Sequence, residues 1–325
     1  MKSLKSLSLL LAMVALGGLP LSASATGHFE RTLQVSGAVD LDVTSGSGDI
    51  TVHTGGNGSV YVSAKIHASN SWFFGSGNAE EKIQRIEKNP PVEQQGNTIR
   101  IGRSDDHELY RNISIDYDIT VPAQTKVTSH TGSGDQNISG IQLPLAATTG
   151  SGNITVENVS ADTRIRSGSG DLKINSVKGV LNAETGSGNI RAQEVAGEII
   201  ANTGSGDVEM HQSAAGDVKV ETGSGNVKLY GVKGGLRAET GSGDIHAEGE
   251  ATHDWRLGAG SGNITLRLPA HATFNLDART SSGTLNIHHE ITMQGSISRN
   301  HVQGKAGGGG VLLDLHTGSG DIEID

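Results

Sequence analysis

The sequence predicts an all-β solenoid of stacked parallel strands, and three observations carry that expectation. First, Gly-Ser-Gly followed by Asp or Asn begins at Gly46, Gly132, Gly150, Gly168, Gly186, Gly204, Gly223, Gly241, Gly260 and Gly318. From Gly132 to Gly260 the gaps run 18, 18, 18, 18, 19, 18 and 19. A fixed period of this size marks units that bury an apolar face only against their neighbours. Second, apolar and polar residues alternate between the turns at the period of a strand face, with no helical period and no proline between Pro144 and Pro269. Third, two Trp, four Tyr and four Phe make up 3% of 325 residues. That is too little aromatic bulk for a thick, round core, while the recurring Val, Ile, Leu and Ala argue against disorder.

The elements follow in chain order. Lys2 and Lys5, the apolar run Leu7 to Leu19 and the small-x-small triplet Ala23-Ser24-Ala25 read as a signal peptide over residues 1–25. The run is too short for a confident membrane span. Cleavage after Ala25 leaves an exported, acidic chain that is not an integral membrane protein. Residues 26–130 read as a β-rich capping segment, with strands over 39–43, 49–53, 60–66, 98–101 and 113–121. Its one helix spans 78–88, with Ile83 and Ile86 inward and Pro90-Pro91 stopping it. Such a cap shields an open end that would otherwise pair with other chains.

Residues 131–325 read as the repeat solenoid. In the unit from Thr185 to Asn202, Ile190 and Ala192 alternate with Arg191, then Val195, Gly197, Ile199 and Ala201 follow on the opposite parity. The break at Gln193-Glu194 predicts a corner. The turn glycines are expected to take positive φ, with Asp or Asn bonding back to nearby amides. A degenerate copy, Ser281-Ser282-Gly283-Thr284, follows Gly260, and the 37 residues from there to Gly318 fit two further units. Asp321, Glu323 and Asp325 place charges along the last strand, where they would defend an exposed edge.

After Gly-Ser-Gly the residue alternates strictly: Asp135, Asn153, Asp171, Asn189, Asp207, Asn226, Asp244, Asn263. Two geometries explain this. An 18-residue coil would interleave carboxylates with amides in one column, easing like-charge repulsion. A coil of 36–37 residues would put an Asp column on one edge and an Asn ladder on the other.

The chain resembles the bacterial toastrack adhesin candidates, a family of unknown function, and the related head-domain autotransporter adhesin candidates. The likeness is carried by Val-Ser-Gly-Ala-Val-Asp-Leu-Asp-Val (35–43), Asn-Pro-Pro-Val-Glu-Gln (89–94), Asn-Thr-Ile-Arg-Ile-Gly (97–102) and the serial turns. It implies a right-handed β-helical stack of two sheets with repeats grouped in pairs, which favours the longer coil. It implies no catalytic residues.

The candidate sites follow from residue chemistry. A column of Asp135, Asp171, Asp207 and Asp244 could offer oxygens to Ca²⁺, but one Asp per 18 residues is sparse for an ion that takes six to eight ligands. The recurring Thr131, Thr149, Thr185, Thr203, Thr222, Thr240, Thr280 and Thr317 form a single rank, read as ordinary strand residues. The cluster Trp72-Phe73-Phe74 is a possible partner contact, weighed against a buried plug for the stack. The turn glycines from Gly132 to Gly318 are structural, and Gly307 to Gly310 reads as a flexible loop. No cysteine is present, which excludes disulfides, thiolate metal sites and a cysteine nucleophile. The thirteen His show no metal-ligand spacing, and His288-His289 forms no recognisable pair. Asp105-Asp106 is an adjacent acidic pair outside the repeats, read as lying in a loop. A net charge of −10 argues against nucleic acid as partner.

Together these predict a non-enzymatic exported repeat protein without cofactor. It would bind or scaffold an envelope or extracellular polymer or protein in an adhesin-like way. A periplasmic sensor or accessory domain is the alternative, and a polysaccharide-processing enzyme is a distant one.

Overall fold

The computed structural model describes residues 25–56, 58–68, 78–103, 106–293 and 298–325. Residues 1–24 of the signal peptide expected over 1–25 lie outside the described residues, as do the Trp72, Phe73 and Phe74 cluster and Asp105.

Two sheets face one another and are joined at each Gly-Ser-Gly turn. Strands that end at the turn stack in the first sheet, and strands that leave it stack in the second. Leu145–Thr149 pairs in parallel with Thr125–Thr131 on one side and Thr163–Ser167 on the other, with Leu145 opposite Val127 and Thr163. Across the turn, Ile154 of Ile154–Val159 lies opposite Gln136 and Leu172. One coil is therefore one 18-residue unit, and the paired 36–37-residue coil that the resemblance favoured is not what forms. Each unit already contributes one strand to each sheet, so a second unit is not needed to close a turn of the solenoid.

Alternation in each strand sends one face inward. Ile154, Val156, Leu172, Ile174, Ile190 and Ala192 are fully buried or nearly so, opposite Ala147, Ile165, Ala183 and Ala201 from the other sheet. The core is thin because an aliphatic side chain from each sheet fills it. Aromatics plug its ends: Phe29 packs edge-on against Tyr117 at 6.4 Å, while Trp255 and Phe274 are buried towards the other end. At the corner expected near Gln193-Glu194, Asn158, Ser176 and Glu194 take left-handed φ of 55–59° on successive coils. The strand runs through the corner while the side-chain parity flips.

The stack is not in chain order at either end. Val39–Ser45 pairs with Thr98–Ile101 and with Thr125–Thr131, so the chain's first coil lies between two later ones. The boundary expected at residues 130/131 thus crosses continuous sheet. Beyond it, Ser59–Ala68 and Thr26–Gln34 add antiparallel strands, and the helix Ala79–Lys88 buries Ile83 and Ile86.

At the far end the last strands are also interior. The first-sheet part of Ile245–Ser261 pairs with Val311–Ser319, which pairs in turn with Phe274–Ser282. Ile322–Ile324 lies between Ile264–Arg267 and Leu285–Ile287. The final coil in sequence is therefore slotted inside, and the degenerate Ser281–Thr284 copy forms the outer coil. Two expectations fall here. Asp321, Glu323 and Asp325 do not guard an edge, because their strand has neighbours on both sides. The 37 residues after Ser281 are not two stacked units: Ile291–Met293 and His301–Ala306 make an antiparallel excursion on Phe274–Ser282 before the chain returns.

Candidate functional site

The turn column is the most regular feature, and its chemistry is internal. The side-chain Oδ1 of each Asp or Asn accepts the backbone N–H of the equivalent residue one coil on. The series runs Asp116, Asp49, Asp135, Asn153, Asp171, Asn189, Asp207, Asn226, Asp244, Asn263, Asp321 and Thr284, at 2.7–3.0 Å. From Asp135 to Asp321 amides and carboxylates alternate in this single column, so most carboxylates have neutral neighbours. The structure keeps Asp135, Asp171, Asp207 and Asp244 apart, with an Asn between successive members, and gives each Oδ1 to a peptide. Asp321 is held below the ordinary carboxylate range because the Thr284 backbone N–H and then its hydroxyl both donate to it.

The Thr rank is a second internal column that sequence reasoning read too blandly. Each hydroxyl donates to the carbonyl of the second turn glycine in the neighbouring coil, as Thr149 does to Gly134 and Thr185 to Gly170, over 2.8–3.1 Å. In the first six coils it also accepts its own turn's N–H, as Thr149 does from Gly152. The rank is buried. From Gly225 on, that N–H goes instead to the next coil's Ser carbonyl.

The glycines are needed for a reason other than the one expected. A Cβ on Gly152 would run into the carbonyl oxygen of Gly134, and one on Gly150 into that of Gly132. Stacked backbones approach too closely for any side chain. Among the second turn glycines, positive φ appears only at Gly243, Gly262, Gly283 and Gly320.

What remains for contact is the outward face. Among described residues the only large apolar side chain classed as exposed is Val180, at 38%, so that face is hydrophilic. On the first sheet, register brings Lys219, Arg237 and Arg256 into one rank, followed by Asp314 and Asp277. Lys219 pairs with Glu221 at 3.0 Å, Arg237 with Glu239 at 2.8 Å and Arg256 with Asp314 at 3.1 Å. The basic rank lines an open cleft of about 380 Å³ together with Glu198, Asp217, Asp254 and Asp314. A second open cleft of about 430 Å³ is lined by Arg279, Asn300, His301 and His316.

Asp277 lies between these clefts with every lone pair engaged. Arg279 donates through Nε and Nη2 at 2.8 Å each, Gln303 Nε2 donates at 2.8 Å, and His301 Nε2 lies at 2.9 Å. The Arg279 fork holds its pKa far below the usual carboxylate range, with Gln303 and His301 adding to the effect against partial burial. Such a carboxylate is neither a base nor a free ligand. Sequence distance hid this cluster, since residues 256, 277, 301 and 314 converge only through the out-of-order coils. On the second sheet, His211 stacks on Tyr230 at 4.5 Å and His246 follows at 5.6 Å. His288, Glu323 and Asp325 bring three potential ligand atoms within 4.8 Å of one another. Arg267 lies 3.9 Å from Asp325 and competes with any cation there.

With the stack and its turns described, the comparison with known families is decisive: the model of Toastrack DUF4097 matches residues 40–199 and 195–325. The chain belongs to the Toastrack family. No curated protein matches it. Solved structures similar to this Toastrack chain include three, each aligned over 92% of it. One is a candidate cell adhesion protein from Clostridium sporogenes ATCC 15579, with 12% identity, 99% of that chain covered and a TM-score of 0.24. A candidate adhesin from Bacteroides fragilis NCTC 9343 has 12% identity, 97% coverage and a TM-score of 0.35. A third, from Parabacteroides distasonis ATCC 8503, has 11% identity, 97% coverage and a TM-score of 0.39. No helix among the described residues of the Toastrack chain is long and apolar enough to cross a membrane.

Proposed function

We propose that this Toastrack protein is an exported, non-enzymatic binding or scaffolding module that presents its solenoid faces to an envelope or extracellular polymer. The observation that carries the reading is the register of outward side chains. A fixed coil repeat sets chemically similar groups, such as Lys219, Arg237 and Arg256, about 4.8 Å apart along the axis. An extended polymer lying along that axis meets one equivalent contact per coil, and many weak contacts add. The saturated Asp277 and the mutually paired charges around the clefts favour recognition over proton transfer. Export rests on the leader pattern of residues 1–25.

The test is a pull-down of envelope glycans and whole cells by purified protein, with Arg237→Ala and the triple Lys219→Ala/Arg237→Ala/Arg256→Ala compared. The single change should weaken binding about two- to fivefold, the scale of one exposed charged contact, and the triple change should multiply such losses. Complete loss from the single change, or turnover of any polysaccharide, would overturn the reading. Fractionation of producing cells tests export separately.

A further inference from the structure

We propose that residues 311–325 form an exchangeable coil that two copies of this chain can swap, joining two solenoids at their C-terminal ends. Three observations lead there. The coil sits in a slot whose two walls are both built by earlier chain: 255–261 and 264–267 on one side, 274–282 and 285–287 on the other. The slot is specified by groups that any second copy also carries. Asn263 Oδ1 accepts the Asp321 N–H, Thr317 donates to the Gly262 carbonyl, and Asp321 accepts from the Thr284 N–H and hydroxyl. Leu313, Leu315, Ile322 and Ile324 supply its buried face.

The third observation is the tether. Ala306 and Val311 lie on opposite sides of Phe274, so Gly307 to Gly310 carry the chain over the end of the strand Phe274–Ser282. Those flanking strands are about 9.6 Å apart, two strand spacings. The crossing is tight: a Cβ on Gly307 would approach Thr273 Cγ2 at 2.8 Å, and one on Gly310 the Thr273 carbonyl at 2.7 Å. A glycine hinge ahead of an element whose slot is built wholly by other segments is an arrangement from which reciprocal exchange arises, and the closed dimer repeats the slot contacts of the monomer. The degenerate turn fits this layout. Thr284 ends the side-chain ladder at the outer coil, so a neighbour cannot simply extend the stack there, whereas the slot keeps the full code.

The test uses the full chain with Ser261→Cys and Ser319→Cys, adjacent in register on the two strands and exposed. No native cysteine interferes, and the spacing of paired strands suits a disulfide. Deleting Gly308 to Gly310 leaves two peptide steps, roughly 7 Å at full extension, too short to cross Phe274. The shortened chain should double in apparent mass and run as a covalent dimer on a non-reducing gel after oxidation. The chain with its natural hinge should show interchain disulfides in a dimer fraction that grows when it is refolded from denaturant at rising concentration. A monomeric shortened chain with an intrachain disulfide would overturn the proposal. So would a natural-hinge chain whose disulfides stay intrachain at every concentration, and this series decides alone if the shortened chain does not fold.

Discussion

At the scale of single residues, the turn works because three positions divide the tasks. Glycine lets stacked backbones touch, Asp or Asn passes a hydrogen bond from coil to coil, and Thr or Ser ties each turn to its neighbour from inside. One position breaks the third rule. Ala259 stands in register with Thr240 and Thr317, buried but without a hydroxyl. By the pattern, a hydroxyl there would donate to the Gly243 carbonyl. Ala259→Thr should therefore raise unfolding free energy by about 0.5–1.5 kcal/mol, the net value of one internal hydrogen bond. Ala259→Val, with the same bulk and no hydroxyl, should not. Denaturant melts of the two variants measure the difference, and equal shifts would show that bulk alone matters.

At the scale of strands, the outward ranks turn register into electrostatics. Asp277 belongs to such a rank, and its depressed pKa makes it a source of pH-dependent stability. A carboxylate whose folded pKa lies below its unfolded value, about 3.9, stabilises fully above that value. The contribution fades as pH falls towards the folded pKa. The wild type should thus lose melting temperature below about pH 4 more steeply than Asp277→Asn. At pH 7 the variant should be the less stable, since Arg279 loses its charged partner. Thermal melts from pH 7 to pH 2 check both limbs, and parallel curves would remove Asp277 from the account.

At the scale of the whole molecule, stability is close to a sum of coils and the contacts between neighbours. Deleting Gly168 to Thr185 removes one whole 18-residue coil and rejoins Ser167 to Gly186, preserving every register across the cut. That chain should fold, keep its β spectrum and unfold slightly earlier. Deleting residues 311–325 removes fewer residues but empties an interior slot, leaving two pairs of strand edges without partners. It should lower the melting temperature far more. Circular dichroism melts of the two deletions compare a coil that can be closed over with one that cannot, and similar losses would contradict the interior placement.

Much of this was legible beforehand, and particular residues show why. The helix over Ala79–Lys88, the corner at Glu194 and the inward Ile190 and Ala192 all follow from local periodicity. The 18-residue coil was consistent with the spacing but did not follow from it, since the same spacing also fits a coil of two units. The Thr rank looked like plain strand because a hydroxyl's acceptor one coil away is invisible along the chain. The cluster of Arg256, Asp277, His301 and Asp314 had no sequence signal, and the metal-capable trio His288, Glu323 and Asp325 spans 37 residues.

The sequence by itself determined that the chain stacks, because a turn code repeated every 18 or 19 residues admits no other way to bury half of each strand. Only the tertiary structure decided the order of stacking. Every intact coil presents the same edge chemistry, so local pattern cannot say which coil meets which. The choice falls to the ends, where Thr284 breaks the ladder and the crossing at Gly307 to Gly310 brings the last strands inside.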